Sequence, residues 1–176
     1  MIYSHQKKVG CAISAMILIG GIFWYANSQK QAEMNQTKDW QTQSSQGISF
    51  KYPKELGTHY MSLQDWPPMV QVLSERFSCT EAGLTTDRAG ETKKVVFGGH
   101  TYCVTTINEG AAGSTYTQYA YAFAKGSKTI ILTFTTRSPQ CGNYEEPEKN
   151  ACELEQSQFD LHKIVDQIAQ SIEINN

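Results

Sequence analysis

Residues 114–137, STYTQYAYAFAKGSKTIILTFTTR, change character on a period of two. In the first half Tyr119, Tyr121 and Phe123 share one face with Thr115 and Thr117, while Gln118, Ala120, Ala122 and Ala124 line the other. In the second half Ile130, Leu132 and Phe134 oppose Thr129, Ile131, Thr133 and Thr135. Alternation of this kind is the signature of a β-strand, and Gly126-Ser127 supplies the turn between two of them. Upstream, KKVVF, Gly98-Gly99 and HTYCVTTI read as a second hairpin, because Gly-Gly provides the positive φ angles of a tight turn. GISFKYPKEL adds a half-buried strand through Ile48, Phe50 and Tyr52, stopped by Pro53. MVQVLS, residues 69–74, adds another after the stiff Trp66-Pro67-Pro68. The whole predicts an antiparallel meander with one face more apolar than the other.

That face needs a cover, and the end of the chain offers one. In SQFDLHKIVDQIAQSIEI, Leu161, Ile164, Val165, Ile168 and Ile172 recur at helical spacing. Ser157 and Asp160 have the spacing of a capping box, with the shorter acid in place of Glu or Gln. The predicted fold class is therefore α+β: an antiparallel sheet covered by a C-terminal amphipathic helix. A chain of 176 residues has room for one such domain, placed at 47–176, plus a tail.

The tail begins with Lys7-Lys8 and an uncharged run from Val9 to Ala26 ending in Trp24-Tyr25. Eighteen helical residues reach about 27 Å, enough for a transmembrane helix across a hydrocarbon core of roughly 30 Å. The leading charges put residues 1–8 in the cytoplasm and everything after Asn27 outside. Ala26-Asn27-Ser28 also offers small residues where a signal peptidase reads, so a secreted form cleaved after Ser28 is the alternative to a retained anchor. Residues 27–46, with six glutamines and few apolar groups, read as a tether.

Outside the membrane run, four cysteines remain: Cys79, Cys103, Cys141 and Cys152. An even number in an extracytoplasmic domain predicts two disulfides, of which Cys79 with Cys103 and Cys141 with Cys152 is the most local pairing. The second would close the acidic loop in QCGNYEEPEKNAC. A zinc set from His100, Cys103, Cys141 and Cys152 lacks paired ligand spacings. No Cys-x-x-Cys suggests a redox pair, and Glu145, Glu146 and Glu148 lack the turn glycine and alternating ligands of a calcium loop. No metal or other cofactor is expected.

Four basic residues (Lys7, Lys8, Lys30, Lys38) and two acids (Glu33, Asp39) precede Gln46, leaving 11 basic against 15 acidic residues in the remainder. That balance argues against a nucleic-acid partner. The sequence holds no Gly-x-Ser-x-Gly, phosphate loop, dinucleotide fingerprint or His-Glu-x-x-His. An enzyme would need a deep pocket gathering His100 or His59 with a carboxylate, and His162 beside the stripe reads as a boundary residue. The candidate partner surface is Tyr60, Trp66, Pro67 and Pro68, unless Trp66 plugs an end of the sheet.

The strand GISFKYPKEL, the run KKVVF through SKTIILTFTTR and the closing helix together resemble the PsbP/Mog1-like sandwich over residues 47–174. The chain is also similar to small, membrane-anchored, uncharacterised bacterial proteins with a Trp-Pro-Pro loop and paired cysteines. These likenesses imply a fold and carry over no functional residue. The expected role is a non-enzymatic binding or scaffolding domain of the bacterial cell envelope, anchored through residues 9–26, whose partner is an envelope protein or polymer. The alternatives are a pilin-like subunit, which requires one rigid helix from residue 9 to about 46, and a small envelope hydrolase or redox accessory protein.

Overall fold

The computed structural model describes residues 39–45, 47–83 and 90–175. The expected cytoplasmic segment 1–8, membrane span 9–26, cleavage point after Ser28 and tether up to residue 38 lie outside these. Among the described residues no helix is long and apolar enough to cross a membrane.

Among the described residues, eight strands and two α-helices form in the order β1 (Trp40–Ser45), β2 (Ile48–Pro53), β3 (Ser62–Leu73), β4 (Glu91–Phe97), β5 (His100–Ala111), β6 (Ser114–Lys125), β7 (Lys128–Pro139), α1 (Glu148–Gln158), α2 (Leu161–Ser171) and β8 (Glu173–Ile174). Five strands make an antiparallel sheet in the order β3-β7-β6-β5-β4. Its register builds the core. One row runs Tyr102, Phe123, Ile130 and Val72 across β5, β6, β7 and β3; the next runs Val104, Tyr121, Leu132 and Val70. Tyr121, Ile130 and Leu132 are completely buried, as is Ile168 of α2, with Val165 and Ile172 nearly so. At about 1.5–3 kcal/mol for each large apolar side chain taken out of water, this contact is the main favourable term in the domain.

The smaller sheet has the order β1-β2-β8. Strand β8 follows α2 immediately and pairs antiparallel with β2, Ile48 opposite Ile174. The Asn175 amide donates to the Gly47 carbonyl (2.7 Å), and the Lys51 amide donates to Ser171 Oγ at the end of α2 (2.9 Å). The chain thereby ties its closing helix back to β2, near the start of the domain. The architecture is α+β, as the alternation and the stripe require.

Four local expectations are corrected. Trp40–Ser45, assigned to the tether, is a strand; WQTQSS has little apolar surface, but a strand next to β2 draws its stabilisation from backbone pairing, which composition does not register. The acidic loop is mostly helix: after a single turn at Cys141–Asn143, α1 begins at Glu148. It buries only Cys152, so it has no apolar stripe to announce it. Strand β3 begins at Ser62 rather than Met69 and carries Trp66-Pro67-Pro68 inside it, where the pairing with β7 is interrupted between Gln64 and Met69. A bulge absorbs the missing proline N–H groups. Lastly, Asp160 alone caps α2, accepting from the Lys163 amide (3.0 Å), while the Ser157 hydroxyl donates to the Leu154 carbonyl within α1.

The two rows predict an asymmetry in mutational cost. Leu132→Ala should lower unfolding free energy by about 2–5 kcal/mol, whereas Met69→Ala, at a side chain 71% exposed, should stay within about 0.5 kcal/mol. Denaturant melts of both variants check this.

Candidate functional site

Helix α2 meets the sheet along its stripe, but its four-residue spacing also lines up His162, Asp166 and Gln170 beside that stripe. Asp166 is only 6% exposed. A carboxylate out of water needs donors, and it has three: the Tyr102 hydroxyl (2.5 Å) and His100 Nδ1 (2.9 Å) donate to Oδ1, and Gln170 Nε2 (2.6 Å) donates to Oδ2. Because Asp166 offers only acceptors, Nδ1 of His100 carries the proton and Nε2 is left as the ring's unengaged nitrogen. Burial, then the bond to Asp166, then its charge push the Tyr102 hydroxyl far above the ordinary tyrosine range, so it remains a donor. The β4–β5 turn closes over the group. Gly98 has φ +58° there, and a Cβ on it would lie 2.1 Å from Asp166 Oδ2.

Beside this cluster opens a cleft of about 610 Å³. Phe77, Phe123 and Ala169 give it apolar walls; His100, Thr101 and Lys125 bring polar groups to it. Phe77 stands on the loop after β3, two residues from Cys79. The Cys79–Cys103 disulfide (Cα–Cα 5.3 Å) ties that loop to β5, and Thr129 Oγ1 donates to the Glu75 carbonyl (2.9 Å). One wall of the cleft is thus held covalently to the sheet.

The cysteines pair as Cys79–Cys103 and Cys141–Cys152, the second with Cα atoms 5.6 Å apart. Three members of the weighed zinc set are therefore in disulfides. Cys141–Cys152 joins the turn after β7 to α1.

The candidate partner surface is dispersed. Pro68 is buried. Trp66 and Pro67 are half-buried, and Trp66 Nε1 donates to the Pro53 carbonyl (2.9 Å) with its ring edge-on to Phe134 (5.7 Å) and Tyr52 (6.2 Å). Trp66 acts as a plug for the sheet. Tyr60 has other neighbours, His59 (4.5 Å) and Tyr144 (5.5 Å). Its amide donates to Glu155 of α1, and bonds from Thr58 first and Tyr60 next hold that carboxyl below its ordinary value. His162 packs on Phe97 (4.8 Å) with Nδ1 3.3 Å from the Tyr121 hydroxyl, a boundary residue as its position beside the stripe implies.

The residue that sequence reasoning passed over is Asp166. Its signal was present as the polar line 162, 166, 170, but an acid next to a stripe reads as solvated until the hairpin that caps it is known.

No family model matches the sequence and no curated protein matches it. A solved structure from Bacteroides thetaiotaomicron VPI-5482 is similar at 12% identity, over 78% of this chain and 42% of that one, with a TM-score of 0.33. The chain spans less than half the length of that neighbour, and a likeness of this size carries no argument.

Two predictions follow from the geometry. Gly99 also has positive φ but nothing within 4 Å of a Cβ, so Gly99→Ala should cost about 1–2 kcal/mol for the backbone alone. Gly98→Ala adds displacement of Asp166 and should melt at clearly lower temperature. As for Glu155, a depressed folded-state pKa means its contribution is present above the ordinary glutamate value of 4.5 and fades as pH falls through the lower, folded value. The Tyr60 amide resonance should titrate with a midpoint below 4.5, and Glu155→Gln should flatten that titration.

Proposed function

We propose that this chain is a membrane-anchored, extracytoplasmic domain of the bacterial cell envelope, held through residues 9–26, that binds an envelope protein or polymer and does no chemistry of its own. The observation that carries the reading is the two cysteine pairs at disulfide distance, since such bonds persist in oxidising compartments and are rare in the cytosol. The cleft supports binding, being a concavity with apolar walls and a few convergent polar groups. The sandwich arrangement that the sequence resembles, the PsbP/Mog1-like one, belongs to this proposal as well. A pilin-like subunit is disfavoured because Trp40–Ser45 is a strand, which interrupts the helix to residue 46 that it requires.

One observation favours a second reading, a small envelope hydrolase. A histidine with one nitrogen held by a buried carboxylate and the other unengaged is the arrangement of a general base. Among the described residues the cleft lining holds no serine or cysteine, so His100 would have to activate water.

Mass spectrometry of non-reduced, digested full-length protein taken from cell envelopes tests the main reading. Linked peptides Cys79–Cys103 and Cys141–Cys152 are expected; free thiols at Cys141 and Cys152 would contradict it. Crosslinking in the intact envelope should then capture a non-cytosolic partner.

A further inference from the structure

Lys125 and Lys128 stand directly opposite one another across the Gly126-Ser127 turn, on the α2 side of the sheet. Like charges in that position destabilise a strand pair. Lys125 leans toward the end of α2, its Nζ donating to the Gln170 carbonyl at 3.4 Å, and it lines the cleft with Thr101. Asp166, buried behind the cleft, already accepts from three protein donors. Among the described residues neither lysine has a carboxylate within ion-pair distance, while Phe77, Phe123 and Ala169 make an apolar wall.

We infer that this cleft binds a small organic carboxylate with an apolar body, the carboxylate against Lys125 and Thr101 and the body on Phe77, Phe123 and Ala169. Charge at one end and apolar surface at the other select an amphiphile over a bare anion. The buried Asp166 carboxylate behind His100 selects further against a second negative charge. A monoanion fits both constraints. The inference rests on the reading of this domain as a binder but not on its address, so peptide mapping and ligand titration can fail independently.

The test is a titration of isotopically labelled full-length protein, in lipid nanodiscs, with benzoate, its neutral isostere benzamide, and inorganic phosphate. Benzoate should shift the Gly99, Thr101 and Lys125 amide resonances and saturate. Benzamide and phosphate should each bind at least about tenfold more weakly, and Lys125→Gln should weaken benzoate by about tenfold. Phe77→Ala, at a half-buried side chain on the loop after β3, should weaken benzoate while leaving the spectrum of the β5–β7 core unchanged. Equal binding of benzamide and benzoate, stronger binding of phosphate, an unaffected Lys125→Gln variant, or no response up to about 10 mM benzoate would each overturn the inference.

Discussion

Two rows of apolar side chains on β5, β6 and β7 cannot be left facing water, and α2 is the element that covers them. Tyr121, Leu132 and Ile130 on one side and Val165, Ile168 and Ile172 on the other are almost wholly buried. The remaining features are arranged around that contact. Strand β8 prolongs the helix into the smaller sheet, Asp160 starts it, and Trp66 seals the sheet edge against Phe134. Loss of the contact would expose the strongest apolar surface in the domain.

A purely apolar seam would leave the helix free to slide or rotate. Asp166 removes that freedom, because two of its three donors, His100 and Tyr102, stand at fixed positions on β5 and its carboxylate fills the space above Gly98. Buried polar groups of this kind are costly when any partner is missing, so they favour one register over its neighbours. The same cluster leaves His100 and Thr101 at the lip of the cleft. Packing and binding geometry therefore share their residues.

The disulfides act at the periphery. Cys79–Cys103 holds the loop that carries Phe77, and Cys141–Cys152 holds α1, a helix with almost no apolar face of its own. By chain-entropy arguments each contributes about 3 kcal/mol. For α1 that covalent link, with the Gln156 side chain donating to the Pro139 carbonyl (2.9 Å) and the Glu155 clamp on Tyr60, stands in for an apolar stripe.

Period-two alternation in residues 114–137 and the stripe from Leu161 to Ile172 determined the sheet, its buried face and its covering helix, because both signals report burial directly. The even count of cysteines beyond residue 26 pointed to two staples, and short separation to which pairs form them. Three things needed the tertiary structure. β1 and α1 are polar and gain their stability from backbone pairing and a covalent link, neither of which leaves a hydrophobic pattern. For Trp66-Pro67-Pro68 the sequence offers both a binding loop and a plug for the sheet, because stiffness and aromaticity are visible there while the Phe134 ring that receives the indole is not. The cleft joins residues 77, 101, 125 and 169 from four elements, and Asp166 meets His100 across 66 positions of chain. Such distances close only when the helix has docked.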